Sequence, residues 1–454
     1  MGEPESLTAA AYAARLQAEL RAQPLRAVAA RVEHPALAWA RSGAMALSGY
    51  SDRSPLMCPV PLAAAADGVL ALVAALSPET LPADLDGARL LGERAAIAGY
   101  RRAGAVACGG ACRLLPVASD EWIAINLARE GDFELLPAWL EQDGIADWAS
   151  LARKIRQRND VADLIARGRE LGLAIAWVDE PHASPARWYR QIVAGTQDGA
   201  HPARRGRPRV LDLSALWAGP LCTHLLQLGG AEIVKIESRT RPDGARNGPP
   251  AFFDLLNAGK RSVLLDLREA RDLVWLRALV DDADIVIEAS RPRALRQLGI
   301  DAESLVRSRA GLTWIALSGY GRAESQAQWI AYGDDAAVDA GLTRVMRAAT
   351  GEVSFVGDAI ADPIAGLHAA LLAWWSWHRG GSRLLSISLG ECVRHVLEST
   401  PTEDWRARCA LWEAIRCAAG VEVASPHARP VRAAASSLGA DTQSVLQALG
   451  HRPC

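Results

Sequence analysis

Residues 210–237 read VLDLSALWAGPLCTHLLQLGGAEIVKIE. A short aliphatic run is followed by Gly219-Pro220, a helical pattern over Leu221–Leu228, and a second aliphatic run from Ala231. The same alternation continues downstream. Ser262-Val-Leu-Leu-Asp-Leu precedes a helical stretch over Arg268–Val280, and Asp284-Ile-Val-Ile-Glu-Ala-Ser precedes a short one over Pro292–Leu298. A further strand starts at Leu312. Short, nearly all-apolar strands separated by helices predict a parallel sheet covered on both faces. The expected fold is α/β, a Rossmann-like doubly wound sheet. The turn after the first strand, Ala-Leu-Trp-Ala-Gly-Pro, lacks G-x-G-x-x-G, which disfavours NAD. P-loop, H-E-x-x-H and G-x-S-x-G patterns are absent from the sequence as well.

Upstream the pattern is different. Leu7–Ala30, Asp67–Leu76, Gly131–Gln142, Asp147–Arg158 and Asp160–Gly172 have helical apolar spacing, several opening on a capping Asp. Cys112-Arg-Leu-Leu-Pro-Val and Trp122-Ile-Ala-Ile-Asn-Leu form a hairpin. The expected organisation is a helical segment at 1–76 that resembles a degenerate end of a Rossmann part, a small α+β domain at 77–195 placed N-terminal to the Rossmann part, a linker at 196–209, and the Rossmann-like domain at 210–454.

With 50 Lys+Arg against 52 Asp+Glu, net charge −2, the chain lacks the basic excess of a dedicated nucleic-acid binder. Being 50% hydrophobic, it folds rather than staying disordered. The longest apolar stretch, Pro363–Trp377, is shorter than the roughly 18 residues a membrane span needs. The N-terminus does not read as a signal peptide. Eight scattered cysteines without zinc spacing suggest a reduced, cytoplasmic protein and no metal site.

The run 210–237, with NAGKRSVLLDLR (257–268), ADIVIEASRPRALRQLG (283–299), WIALSGYG (314–321), IADPIAGLHAALLAW (360–374), LLSISLGE (384–391) and LGADTQSVLQALG (438–450), resembles family III CoA-transferases in the family's own order. These are the carnitine dehydratase and bile-acid-inducible type. GERAAIAGYRRAG and CGGACRLLPVASDEWIAINLA in the first half are similar to the family's small domain, which normally follows the Rossmann part. The resemblance therefore implies a rearranged or fused chain. It also implies a homodimer, coenzyme A thioesters and carboxylic acids as substrates, and no tightly bound cofactor.

The family's nucleophilic aspartate precedes a glycine by four positions and opens a long apolar helix. Asp362-Pro-Ile-Ala-Gly366 matches, and Asp358 is the fallback. A carboxylate at a helix start is favoured by the free N–H groups there and is expected to stay ionised. An N-cap aspartate is the structural alternative. The first-half counterpart of Asp362 is Ala64. Tyr332 stands where the racemase branch of the family carries His and the formyl-transferring branch Tyr, which favours CoA transfer. Trp217, before Ala218-Gly219-Pro220, falls in the family's active-site loop and suggests a wall against a bulky acyl group; core packing explains it equally well. The resemblance puts Leu265, Arg268, Ala289, Ser290 and Arg296 at the CoA site, with Arg291 and Arg293 nearby. Glu288-Ala289-Ser290 departs from the family's usual Glu-Asn-Phe. Cys108-Gly109-Gly110 is either the family's glycine-rich loop or an ordinary one, and His224, His368 and His378 read as core. The rival readings are an acyl-CoA racemase or isomerase, and a CoA-binding pseudoenzyme.

Overall fold

The computed structural model describes residues 8–21, 30–118, 120–195, 206–402 and 404–450. Strands are numbered along the chain. β1 (Cys112–Pro116), β2 (Trp122–Asn126) and β3 (Ala174–Trp177) form an antiparallel three-stranded sheet. β4 (Tyr189–Ala194), β5 (Arg209–Leu213), β6 (Glu232–Ser238), β7 (Arg261–Leu265), β8 (Ile285–Glu288), β9 (Thr313–Ser318) and β10 (Arg383–Ser388) form the large sheet.

The large sheet runs β4-β10-β9-β8-β5-β6-β7, parallel except for β4 against β10. Leaving out β4, the order is that of a Rossmann sheet, and it reverses between β5 and β8. Each face is buried by its own helices. One core holds the Ala270–Asp282 and Ala302–Ser308 helices and Val445 of the C-terminal Thr442–Gly450 helix. The other joins the Ala218–Leu228, Ala361–His378 and Leu389–Glu398 helices to the Ala9–Glu19 and Leu62–Leu76 helices.

One boundary differs from the expectation. Residues 189–194, placed in the small domain, extend the large sheet as its antiparallel edge. The helices within 1–76 pack into the Rossmann part's core. The difference arises because tertiary burial, not sequence proximity, assigns an element to a layer. The Leu7–Ala30 helix is shorter than its apolar pattern suggests: it runs Ala9–Glu19, and residues 22–29, like 196–205 of the linker, lie outside the described residues. Gly131–Gln142 forms only a short 3-10 turn, Phe133–Leu135, and the Leu136–Leu140 helix, because Pro137 fits the first turn but Glu141 adopts a left-handed conformation.

The small domain has a separate core from Leu115 through Trp139 to Ile175. After the Trp405–Ala418 helix, the chain crosses back over the N-terminal part. Ala424 N donates to Ala40 O (2.9 Å), and Arg429 Nε and Nη2 hold the buried Glu93 carboxylate at 2.6 and 2.9 Å. The strap ends where Asp441 accepts from Ser262 N (2.8 Å) beside β7. No described helix is long and apolar enough to cross a membrane.

Candidate active site

β5 ends in a buried polar knot. Asp212 accepts from Ser214 N (3.0 Å), Thr223 Oγ1 (2.6 Å) and Lys260 Nζ (3.1 Å), while Lys235 Nζ donates to Ser214 O (2.9 Å) and pairs with Asp243 (2.9 Å). Burial pulls the Lys260 ammonium down to about 8 although Asp212 opposes it. Such buried charges persist because almost every lone pair and proton is matched. The knot fixes the turn that follows. Leu216 sits at φ +69°, a costly conformation for a branched residue, and its N–H donates to Asp243 Oδ1 (2.9 Å). A Cβ at Gly219 would collide with the Ser214 side chain. The turn delivers Trp217, 2% exposed, onto Phe252, edge-to-face at 5.5 Å between centroids.

The Ala361–His378 helix packs directly on the Ala218–Leu228 helix. At Gly366 a Cβ would lie 2.6 Å from Ala218 O, so only glycine permits this approach. The contact brings Asp362, one turn earlier, to the Trp217 loop. Asp362 is the second helical residue, not the N-cap, which is Ile360. Its carboxylate takes a hydrogen bond from the backbone N–H of Gly333. It keeps some accessible surface, yet so many atoms surround it that desolvation dominates its titration. Burial raises its pKa, Arg94 lowers it, Asp334 and Asp358 raise it, and the Gly333 N–H lowers it, leaving it pushed up to about 7. The expectation that the helix start keeps it fully ionised is therefore corrected: burial and two neighbouring carboxylates outweigh the helix dipole.

Arg94, on the Glu93–Ala98 helix, donates from Nε and Nη2 to Asp358 (2.8 and 2.5 Å). Its guanidinium lies 5.3 Å from the Trp217 ring and 5.7 Å from that of Tyr100. Asp358, the fallback nucleophile, is fully buried beneath Arg94. Cys108 Sγ faces Gly357 O (3.4 Å), and Gly109 is next to Arg94, so the Cys108-Gly109-Gly110 loop borders this cluster. Tyr332 begins the Gly333–Asp339 helix and stands within electrostatic reach of Asp362; burial pushes its phenol above the usual value. Asp335 accepts from Tyr332 N (3.0 Å) and Asn126 Nδ2 (3.1 Å), and burial lifts it to about 8.

The residues expected at the CoA site are spread along the carboxyl edge of the sheet. Leu265 ends β7, buried; Arg268 is exposed and donates to Asp266 (2.9 and 2.7 Å). Ala289 and Ser290 follow β8, at the point where strand order reverses, and Ser290 Oγ donates to Glu288 (3.3 Å). Arg296 pairs with Glu303 (2.9 Å) on an exposed helix. With three strand spacings between β7 and β8, the two groups stand on the order of 14 Å apart. His224, His368 and His378 are built into the packing: His368 Nδ1 meets Ile364 O (2.8 Å) and Nε2 meets Tyr12 Oη (2.9 Å).

Arg94 and Asn126 were not legible as site residues. The available signal for Arg94 was a cation inside an otherwise small-residue helix.

Residues 208–382 match the family model described as CoA-transferase family III. Over this region the chain is similar to family III CoA-transferases. A succinyl-CoA–D-citramalate CoA-transferase of Chloroflexus aurantiacus is 29% identical over 202 residues, 42% of this chain and 50% of that protein. A formyl-CoA:oxalate CoA-transferase of Afipia carboxidovorans is 28% identical over 199 residues, 41% and 47% of the two chains. The chain spans about half the length of these curated relatives. A CAIB/BAIF family protein from Brucella suis, 26% identical, aligns over 47% of this chain and 57% of its own with a TM-score of 0.37.

Proposed function

We propose that the chain moves CoA between an acyl-CoA and a carboxylic acid, with Asp362 as nucleophile. The observation that carries this is a single partly open carboxylate of near-neutral pKa, set where the Trp217 loop, Gly333 and Arg94 converge. A carboxylate that is half ionised near neutrality and only partly hydrated is a competent nucleophile.

Asp362 attacks the thioester carbonyl, giving a mixed anhydride and CoA thiolate. The thiolate attacks the aspartyl carbonyl, forming the Asp362–CoA thioester and releasing the first acid. The acceptor carboxylate attacks that thioester, expelling CoA thiolate, which then attacks the acceptor carbonyl. Acyl-CoA leaves and the Asp362 carboxylate is restored. Trp217 and the half-exposed Leu216 supply an apolar wall for the acyl chain, with Gly219 and Tyr332 completing it. Leu265, Arg268, Ala289, Ser290 and Arg296 would hold the CoA nucleotide along the carboxyl edge, where ligands of doubly wound sheets bind. The relatives' names, with citramalate and oxalate as acceptors, favour small carboxylates.

The test is incubation with a panel of acyl-CoAs, hydroxylamine trapping and peptide mass spectrometry. An adduct on Asp362, absent in Asp362→Asn, is expected. An adduct on another residue, or none with any donor that binds, overturns the proposal. Tyr332, pushed away from neutrality, makes a poor partner for proton exchange at an α-carbon; deuterium wash-in there would revive a racemase.

A further inference from the structure

We infer that Arg94, carried by the part of the chain before the linker, is a positioning residue that keeps Asp362 ionised by offsetting the charge of Asp358 beside it. This rests on the reading of Asp362 as nucleophile.

Three carboxylates, Asp334, Asp358 and Asp362, crowd one largely buried spot, and Arg94 is the cation that acts on all three. The titratable groups around Asp362 come from three segments. Tyr332 and Asp334 come from the N-cap and first turn of the Gly333–Asp339 helix, Asp358 from the turn before the Ala361–His378 helix, and Cys108 from the glycine loop. Arg129, which reaches toward Tyr332, is already committed to Asp132 and to Gly172 O (2.6 Å). Asp334 accepts from Ala359 N (2.8 Å) and is itself raised to about 6, first by burial and then by Asp358. One guanidinium faces three acids, so removing it leaves their mutual repulsion without a counter-charge.

The guanidinium is held for this task. Both of its bonds to Asp358 are charge-assisted, Asp358 is fully buried, and Trp217 and Tyr100 flank the plane. The Nε and Nη2 edge of the fork faces Asp358. The residue lies more than two hundred positions before Asp358, so the N-terminal part completes the site electrostatically.

The experiment compares the wild type, Arg94→Gln, Arg94→Lys and the double variant Arg94→Gln/Asp358→Asn. Two readouts are used: acyl-CoA exchange against pH, and a 13C-carboxyl NMR titration with the Asp362 resonance assigned by its loss in Asp362→Asn. In Arg94→Gln the Asp362 midpoint should rise by about one unit or more, so exchange falls about tenfold on the acid side and recovers on the alkaline side. Arg94→Lys should keep the wild-type midpoint. The double variant, which removes both charges together, should return toward it and also covers the case in which Arg94→Gln does not fold. A uniform loss at every pH with the midpoint unmoved overturns the inference, as does a double variant shifted as far as the single one. If the wild type exchanges no acyl group, the functional reading fails, and the NMR midpoints still decide the role of Arg94.

Discussion

Gly333 lies so close to the Asp362 carboxylate that no side chain fits between them: a Cβ there would strike both Asp362 Oδ2 and Ala359 O. The missing side chain is what lets the Gly333 N–H reach the carboxylate. Gly333→Ala should therefore displace Asp362 and cost about 1 to 3 kcal/mol of stability through overpacking. Chemical denaturation reads the second effect and adduct formation on Asp362 the first. An alanine variant as stable and as reactive as the wild type would refute the argument.

Under the proposed function Asp362 reacts as the carboxylate, so exchange should climb with pH through about 7 and level off above it. Below that value the nucleophile holds its proton. A pH–rate profile of kcat/KM checks this, and an acid limb far below neutrality would contradict the burial argument.

Stability should run the other way. Asp334, Asp335 and Asp362 have folded pKa values of about 6, 8 and 7, all above the unfolded value near 4. The folded state thus binds protons more tightly, and the stability they contribute is present below about pH 4 and lost as pH rises through those values. Asp335→Asn keeps the oxygen that accepts from Tyr332 and Asn126 but cannot ionise, so its denaturation midpoint should fall less between about pH 6 and pH 9. Equal slopes in the two proteins would rule this out.

A buried ion pair helps to hold the strap. Arg429 holds Glu93, which is 1% exposed, and contacts His224 (3.1 Å). Arg429→Met strands a buried carboxylate and should cost about 3 kcal/mol, whereas Arg429→Met/Glu93→Gln should recover most of it. A double variant no better than the single one would mean the strap is held by its other contacts.

Trp217 fills the space between Phe252 and Arg94. Trp217→Ala should lower stability by about 3 kcal/mol and, under the proposed function, admit bulkier acyl groups. Thermal unfolding and a donor panel separate the two effects. A variant with unchanged donor preference would show that the ring only packs the core.

Much of this was legible in advance. The alternation of nearly all-apolar strands and helices from Val210 to Tyr320 specifies a parallel sheet, because strands buried on both faces need apolar residues at almost every position. The family resemblance singled out Asp362 through its spacing to Gly366, and the close helix packing at that glycine gives the spacing a physical reason. β4 was not legible: as an antiparallel edge it is mostly exposed along Arg190–Ile192 and has no apolar run to read. Nor was the docking of the Leu62–Leu76 helix onto the Ala361–His378 helix, since an all-round apolar helix announces burial but not its partner.

The sequence by itself determined the order of the elements, the strand type and the placing of a carboxylate at the head of a buried helix, all of which depend on periodicity along a few neighbouring residues. Only the tertiary structure decided which charges meet. Arg94 and Asp358 are 264 positions apart, and Asn126 and Asp335 are 209 apart. The ionisation of Asp362 follows from those meetings, because a carboxylate's pKa is set by the burial and charges within a few ångströms, wherever along the chain they originate.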